Sequence, residues 1–228
     1  MQTIADRLLY TQNLIAQATK NAHRPANSVK LLAVSKTKPV SDLELAYAAG
    51  QRLFGENYVQ EGVEKIKKMQ SLRDIEWHFI GPLQSNKTRL VAEHFDWMQS
   101  VDRAKIAQRL NDQRPVNLPP LQVCIQINID DEASKSGVAV AEIDTLAAHI
   151  ATLPNLCLRG IMAIPRADAD KEAQKNALAA MQSIFTDLKA RYSTIDTLSI
   201  GMSNDMTLAI ENGSTMVRIG TAIFGARK

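Results

Sequence analysis

The hydrophobic pattern changes period repeatedly along the chain. Ile4, Leu8, Thr11 and Ile15 recur at helical spacing, so residues 1–20 read as an amphipathic helix. The short apolar run Leu31–Ser35 then reads as a strand. Behind it, Ser41 and Glu44 have the spacing of a capping box and Gly50 supplies a stop, which predicts a helix between them. The alternation continues. Strands are expected at Leu53–Gly55, Ile75–Gly81, Asp96–Val101, Leu121–Asn128, Leu158–Ile164, Thr197–Ile200 and Met216–Ile219. Helices are expected at Val59–Met69, at Ser85–Glu93, behind Asp102 as N-cap through Ile106 and Leu110, at Ile143–Ile150, along Ala177–Leu188 and at Asp205–Asn212.

Eight strands with seven helices between them imply parallel βαβ units. The expected fold is α/β, a single (β/α)8 TIM-type barrel over residues 1–228 with an extra N-terminal helix. A doubly wound open sheet is the alternative. It is disfavoured because no G-x-G-x-x-G follows the first strand and the eighth strand has no natural partner in a six-stranded sheet. The stretch Pro115–Pro120 leads straight into a strand and is taken as a loop, not a domain boundary.

Composition narrows the function classes. With 45% hydrophobic and 22% charged residues the chain is ordinary for a globular protein. The 27 Lys and Arg exceed the 24 Asp and Glu by only three, and the excess is scattered, so neither nucleic-acid nor membrane binding is expected. Cys124 and Cys157 lie in apolar stretches and read as small buried thiols, which suits a reducing compartment. Asp6 and Arg7 interrupt the apolar N-terminus, so it is not a secretory segment, and the expected location is the cytoplasm.

In a barrel of this type chemistry sits at the carboxyl ends of the strands. Lys36 directly follows strand one. Desolvation there favours a neutral amine, the form that attacks a carbonyl carbon, although a solvated surface lysine is an equal reading for this residue taken alone. Lys38 competes: it would share a face with Lys36 if the chain stayed extended, and Pro39 biases it that way. After strands seven and eight, Gly201-Met202-Ser203-Asn204 and Gly220-Thr221 offer backbone N–H groups and hydroxyls suited to a phosphate, or else ordinary turns and caps. A lysine at one end and a phosphate cradle at the others point together to a phosphorylated aldehyde or ketone. Arg218, inside strand eight, faces either the barrel axis, where it needs a hydrogen-bond partner, or a structural ion pair. The four histidines show no ligand spacing, so no metal site is expected.

Longer motifs then match a family. Leu32-Ala33-Val34-Ser35-Lys36-Thr37-Lys38, Phe54-Gly55-Glu56-Asn57-Tyr58-Val59-Gln60-Glu61 and the run from His78 to Lys87 are three of them. Gly160–Pro165, Ser199–Met206 and Gly213–Gly225 complete the set. In this order, end to end, they resemble the pyridoxal 5′-phosphate homeostasis protein family, closest to its bacterial members. One departure is Asn204, where Asp is expected. The resemblance implies a barrel like the amino-terminal domain of alanine racemase, holding pyridoxal phosphate as an internal aldimine on Lys36. It further implies Arg218 opposite the pyridine nitrogen and Asn57 beside the ring. Met162 and Ser199 would lie near the site, and Gly201, Ser203, Gly220 and Thr221 around the phosphate. Lys38 and Lys135 are implied as candidates for cofactor transfer or a second cofactor site.

An arginine partner leaves the pyridine nitrogen largely unprotonated, a weaker electron sink. The chain ends just after strand eight, without the second domain that gives racemases a further acid/base group. The expectation is therefore a monomeric carrier that stores, buffers or delivers the cofactor, meeting apoenzymes transiently, and not an enzyme. Weak racemase-type activity on amino acids, or a Schiff-base aldolase, are the alternatives.

Overall fold

The computed structural model describes residues 2–130, 136–166 and 170–226. Its strands are β1 (Lys30–Val34), β2 (Leu53–Glu56), β3 (Glu76–Phe79), β4 (Trp97–Val101), β5 (Leu121–Gln126), β6 (Leu156–Met162), β7 (Thr197–Ser199) and β8 (Met216–Ile219). Each pairs in parallel with the next, and β8 pairs back onto β1, closing the barrel. The expected (β/α)8 architecture is therefore present. Its helices are α1 (Ile4–Asn21), α2 (Val40–Ala48), α3 (Val59–Lys68), α4 (Thr88–His94), α5 (Ala104–Gln113), α6 (Ile143–Ala151), α7 (Lys171–Arg191), α8 (Met206–Glu211) and α9 (Thr221–Phe224). The extra helix α1 buries Ile4, Leu8, Thr11 and Ile15, the stripe its spacing announced, and packs against α2, α8 and α9.

Local signals mislead at four places. The helix after β1 starts at Val40 with Pro39 as its N-cap, so Ser41 lies inside the first turn and caps nothing. Proline already has the φ that leads into a helix and has no N–H to satisfy, so it displaces the capping box. Asp102 does not cap α5 either; Arg103 holds that position and its guanidinium binds the Asp102 carboxylate. The single turn α9 behind β8 was not anticipated, because four residues are too few for periodicity to show. Finally, only Cys124 is fully buried; Cys157 is partly exposed, and both are free thiols. Among the described residues no helix is long and apolar enough to cross a membrane.

The two faces of the barrel wall differ in chemistry. Outward positions such as Ala33, Phe54, Phe79, Met98, Val123, Leu198 and Val217 join one continuous core beneath the helices. Positions facing the axis form two small apolar clusters, Leu32–Ile80–Met216 and Trp97–Cys124–Met162, and between them a polar ladder. Glu76 Oε1 lies 2.9 Å from His78 Nε2, and His78 Nδ1 lies 2.9 Å from Gln99 Nε2. Ser199 Oγ donates to Gln99 Oε1 at 2.7 Å and accepts from Arg218 Nη1 at 2.8 Å. Gln99 can only donate through its amide nitrogen, so His78 Nδ1 accepts and Nε2–H donates: the ring is neutral. It stacks on Trp97, centroids 4.9 Å apart. A ladder satisfied at every rung fixes the core's arrangement, whereas one left half-paired would destabilise it.

Two expectations follow. Gly160, within β6, has φ of +156°, and a Cβ there would sit 1.7 Å from the Thr197 carbonyl oxygen of β7. Gly160→Ala must push the two strands apart; a loss of about 3 kcal/mol or more is expected in urea denaturation, or no soluble protein. Burial holds the His78 imidazole below its ordinary value of 6.5. A histidine kept neutral when folded contributes stability above the unfolded value, and loses it as pH falls below that value, by up to about 1.4 kcal/mol per pH unit. Melting temperatures measured from pH 7 to pH 5 should therefore drop more steeply for the wild type than for His78→Gln, and parallel curves would contradict this.

Candidate functional site

A cavity of about 690 Å³ opens at the carboxyl ends of the strands. That is an ordinary size for a small-molecule site. Six of the residues singled out in the sequence line it: Lys36 behind β1, Asn57 behind β2, Ser203 behind β7, and Arg218, Gly220 and Thr221 on or behind β8. Val34, Ile80 and Ile164 give it an apolar wall, and Arg166 adds a cation from the loop behind β6.

The chain turns sharply at Lys36. Residue 37 is threonine, yet its φ is +63°, a left-handed conformation that costs a β-branched residue roughly 1–3 kcal/mol. Its backbone N–H donates to Glu61 Oε1 at 2.5 Å. This turn breaks the extended geometry that Pro39 suggested, so Lys38 does not continue along the face of Lys36. The Lys38 ammonium instead donates to the carbonyls of Gly225 and Ala226, at 3.0 and 2.9 Å, tying the β1 loop to the turn behind α9. Lys36 itself is half-buried at the cavity wall.

Arg218 faces the barrel axis, not the helix layer. Its Nη1 donates to the Ser199 carbonyl at 2.6 Å and to Ser199 Oγ, and Nη2 to the Ala163 carbonyl at 2.8 Å. These partners are neutral oxygens, in place of the carboxylate that a structural ion pair requires. Burial lowers its pKa to about 10, partly opposed by the charge of Asp205, so the guanidinium stays charged at neutral pH. Nε–H and one Nη2–H remain beyond these three bonds.

The loop behind β7 is shaped by Gly201. Its φ is +101°, and a Cβ would lie 2.7 Å from Ala209 Cβ. Gly201 also anchors β8, its carbonyl accepting from Arg218 N at 2.9 Å. The next helix, α8, begins only at Met206; Asp205 Oδ1 accepts from Met202 N at 2.6 Å and closes the loop. Ser203 and Asn204 are thus presented on an exposed loop, not at the helix start. Asn204 lines the cavity, so the departure at that position falls on the site.

Besides Lys38, three sequence-singled residues stand away from the cavity wall. Ser199 is fully buried and reaches the site only through Arg218. Met162 is buried against Trp97 and Cys124. Gly201 lies beneath the loop that it shapes. Lys135 lies outside the described residues. Arg166 and Gln174, both at the wall, were missed; extending the search of strand ends past Pro165 would have found the arginine.

These residues fit pyridoxal phosphate. Asn57 Oδ1 is buried without a hydrogen-bond partner, an acceptor waiting for a donor from a bound molecule. Lys36, Arg166 and Arg218 set three basic side chains against one acidic side chain, Asp205, around one cavity, as an anion requires. A larger cavity of about 820 Å³ lies at the opposite end, between α1 and the starts of β1 and β2. It too is lined by basic residues, Lys20, Arg24, Lys30 and Arg52, but it lies away from the carboxyl ends of the strands. Its Arg24 is spent on the Ile210 and Ser214 carbonyls and its Arg52 on Asp74.

Comparison with known proteins bears on the same barrel. The family model for the alanine racemase N-terminal domain matches residues 12–228. A pyridoxal phosphate homeostasis protein of Haemophilus influenzae is 62% identical, covering 98% of this chain and 96% of that protein. One from Escherichia coli K12 is 59% identical over 100% of this chain and 98% of that protein. The solved structure of PipY from Synechococcus elongatus PCC7942 with PLP bound is 34% identical, with a TM-score of 0.80 over 92% of this chain and 100% of that one. The chain belongs to the pyridoxal phosphate homeostasis protein family, built on the alanine racemase N-terminal barrel.

Proposed function

We propose that this single barrel, residues 1–228, binds pyridoxal 5′-phosphate reversibly and buffers or delivers it. The observation that carries this is the convergence of Lys36, Arg218 and the loops behind β7 and β8 on one cavity. The relatives' names and the PLP-bound PipY structure support it. When bound, the cofactor supplies an aldehyde carbon with which a primary amine condenses reversibly.

The chain's own residues have separable tasks. Lys36 brings the amine to the mouth of the barrel. Arg218 offers a fixed, charged donor from the floor, and its ladder through Ser199 and Gln99 keeps it from swinging out. Ser203, Gly220 and Thr221 surround the anionic end, on a backbone shaped by Gly201; Asn57 offers its side-chain amide at the wall behind β2. Met162 and Ser199 act from behind the wall. Lys38 fastens the lysine loop to the C-terminal turn, which leaves a part in cofactor transfer to be tested against an anchoring one.

Holding is favoured over turnover because proton removal at carbon needs positioned acid/base groups. Among the described residues the wall offers Lys36 itself as one base, and its carboxylate, Asp205, is already engaged by the Met202 N–H, so a second base is wanting. The same reading makes an apoenzyme the transient partner, the barrel a monomer, and a reducing cytoplasm the setting suited to two free thiols. Amino acids incubated with the loaded protein in D₂O should keep their α-protons.

Purified protein mixed with pyridoxal phosphate should gain a visible absorption band, and borohydride followed by peptide mapping should label Lys36. Lys36→Ala should lose the band and the label while keeping its fold. Labelling of Lys38 in the wild type would move the assignment by two residues. Arg218→Leu removes a charged donor worth roughly 1.5–3 kcal/mol and should weaken cofactor binding about 10- to 100-fold in equilibrium titration. Unchanged affinity would remove Arg218 from the site.

A further inference from the structure

Directly behind the lysine loop lies an ionic cluster that the proposed function does not use. Lys65, on α3, is 4% exposed. Its ammonium donates to Glu56 Oε1 at 2.8 Å, to Glu61 Oε1 at 2.6 Å and to the Ser35 carbonyl at 2.7 Å. All three N–H donors are thereby used. Glu56 is fully buried at the end of β2 and also accepts from Ser35 Oγ at 2.6 Å. Glu61 accepts in addition from the backbone N–H of Thr37 at 2.5 Å.

The two residues that this cluster grips, Ser35 and Thr37, are the chain neighbours of Lys36. Buried ions are costly to desolvate and persist only where they are well paired, and replacing such a cluster by apolar side chains is often no loss to stability. Stability alone is therefore a weak reason for this one. Its contacts point elsewhere: Lys65 and Glu56 fix the residue before the amine, and Glu61 holds the left-handed turn after it. We propose that the Glu56–Lys65–Glu61 cluster is a positioning device, which aims Lys36 into the cavity by clamping the peptide on both sides of it. This rests on Lys36 being the cofactor-binding amine. It assigns to α3, which contributes no side chain to the cavity wall among the described residues, the geometry of the reacting lysine.

Glu61 is the member to vary, because it is the partly exposed one, whereas removing Lys65 would strand the buried charge of Glu56. In the cofactor-free protein, the Thr37 amide should exchange with D₂O about tenfold faster in Glu61→Ala, the effect of losing one charge-assisted hydrogen bond. The same variant should capture pyridoxal phosphate about tenfold more slowly or worse by stopped-flow absorbance. Its affinity for pyridoxine 5′-phosphate, which has no aldehyde, and its melting temperature should stay near those of the wild type. Glu61→Gln keeps an acceptor for Thr37 and should recover most of the capture rate. Unchanged capture, or unchanged Thr37 exchange, would overturn the proposal. So would a joint fall in capture, pyridoxine phosphate affinity and melting temperature, which would mark a merely structural cluster. A wild type that is not labelled at Lys36 would sink the reading of that lysine, while the Thr37 exchange would still decide whether the clamp exists.

Discussion

The closing strand pair sets the geometry of everything at the barrel mouth. β8 lies beside β1 with Leu32 opposite Arg218 and Ala33 opposite Ile219. Continuing that register brings Gly220 against Val34, close enough that a Cβ on the glycine would lie 3.1 Å from the Val34 carbonyl. The lysine loop behind β1 and the turn behind β8 therefore share one rim. A slip of one residue would rotate Arg218 out into the helix layer and Val217 into the axis. The apolar contacts of Val217 with the outer core and the polar ladder that receives Arg218 both oppose that slip.

The axis of this barrel is costly ground, since a guanidinium, an imidazole, an amide and a hydroxyl occupy it. Each would destabilise the fold if left unpaired. They are paired in series, so that Arg218 inherits its orientation from groups reaching down to Glu76 near the opposite end. A similar logic operates outside the barrel wall. The Lys65 ammonium is satisfied by Glu56 Oε1, Glu61 and the Ser35 carbonyl, and Glu56 Oε1 also accepts from Ser35 Oγ while Glu56 Oε2 is buried without a partner; Ser35 and Glu61 are the points that hold the lysine loop. Both arrangements use buried polar groups to fix direction, one for the arginine in the floor and one for the lysine at the rim.

Much of this was legible beforehand. Eight apolar runs separated by helical spacing gave the strand count and the barrel; the rule that chemistry sits at strand ends led to Lys36, Ser203, Gly220 and Thr221, the pattern inside strand eight to Arg218, and the family resemblance to Asn57, all on one cavity. What periodicity did not reveal was local. Pro39 overrode a capping box, Asp205 closed the β7 loop through the Met202 N–H, and Thr37 took a left-handed turn that no propensity favours. The i, i+4 spacing of Glu61 and Lys65 was readable as a helix-surface pair, but its burial against Ser35 was not.

The order of strands, their apolar outer faces and the residue types at their ends were determined by the sequence itself, because side-chain period and strand-end position are properties of the local chain. Which of those ends meet, which way Arg218 faces and what restrains Lys36 were decided only in three dimensions. They depend on the register of β8 against β1 and on a lysine of α3 reaching a carbonyl thirty residues earlier in the chain. Such contacts are fixed by barrel closure and by the need to pair every buried charge, and neither condition is written in any single segment.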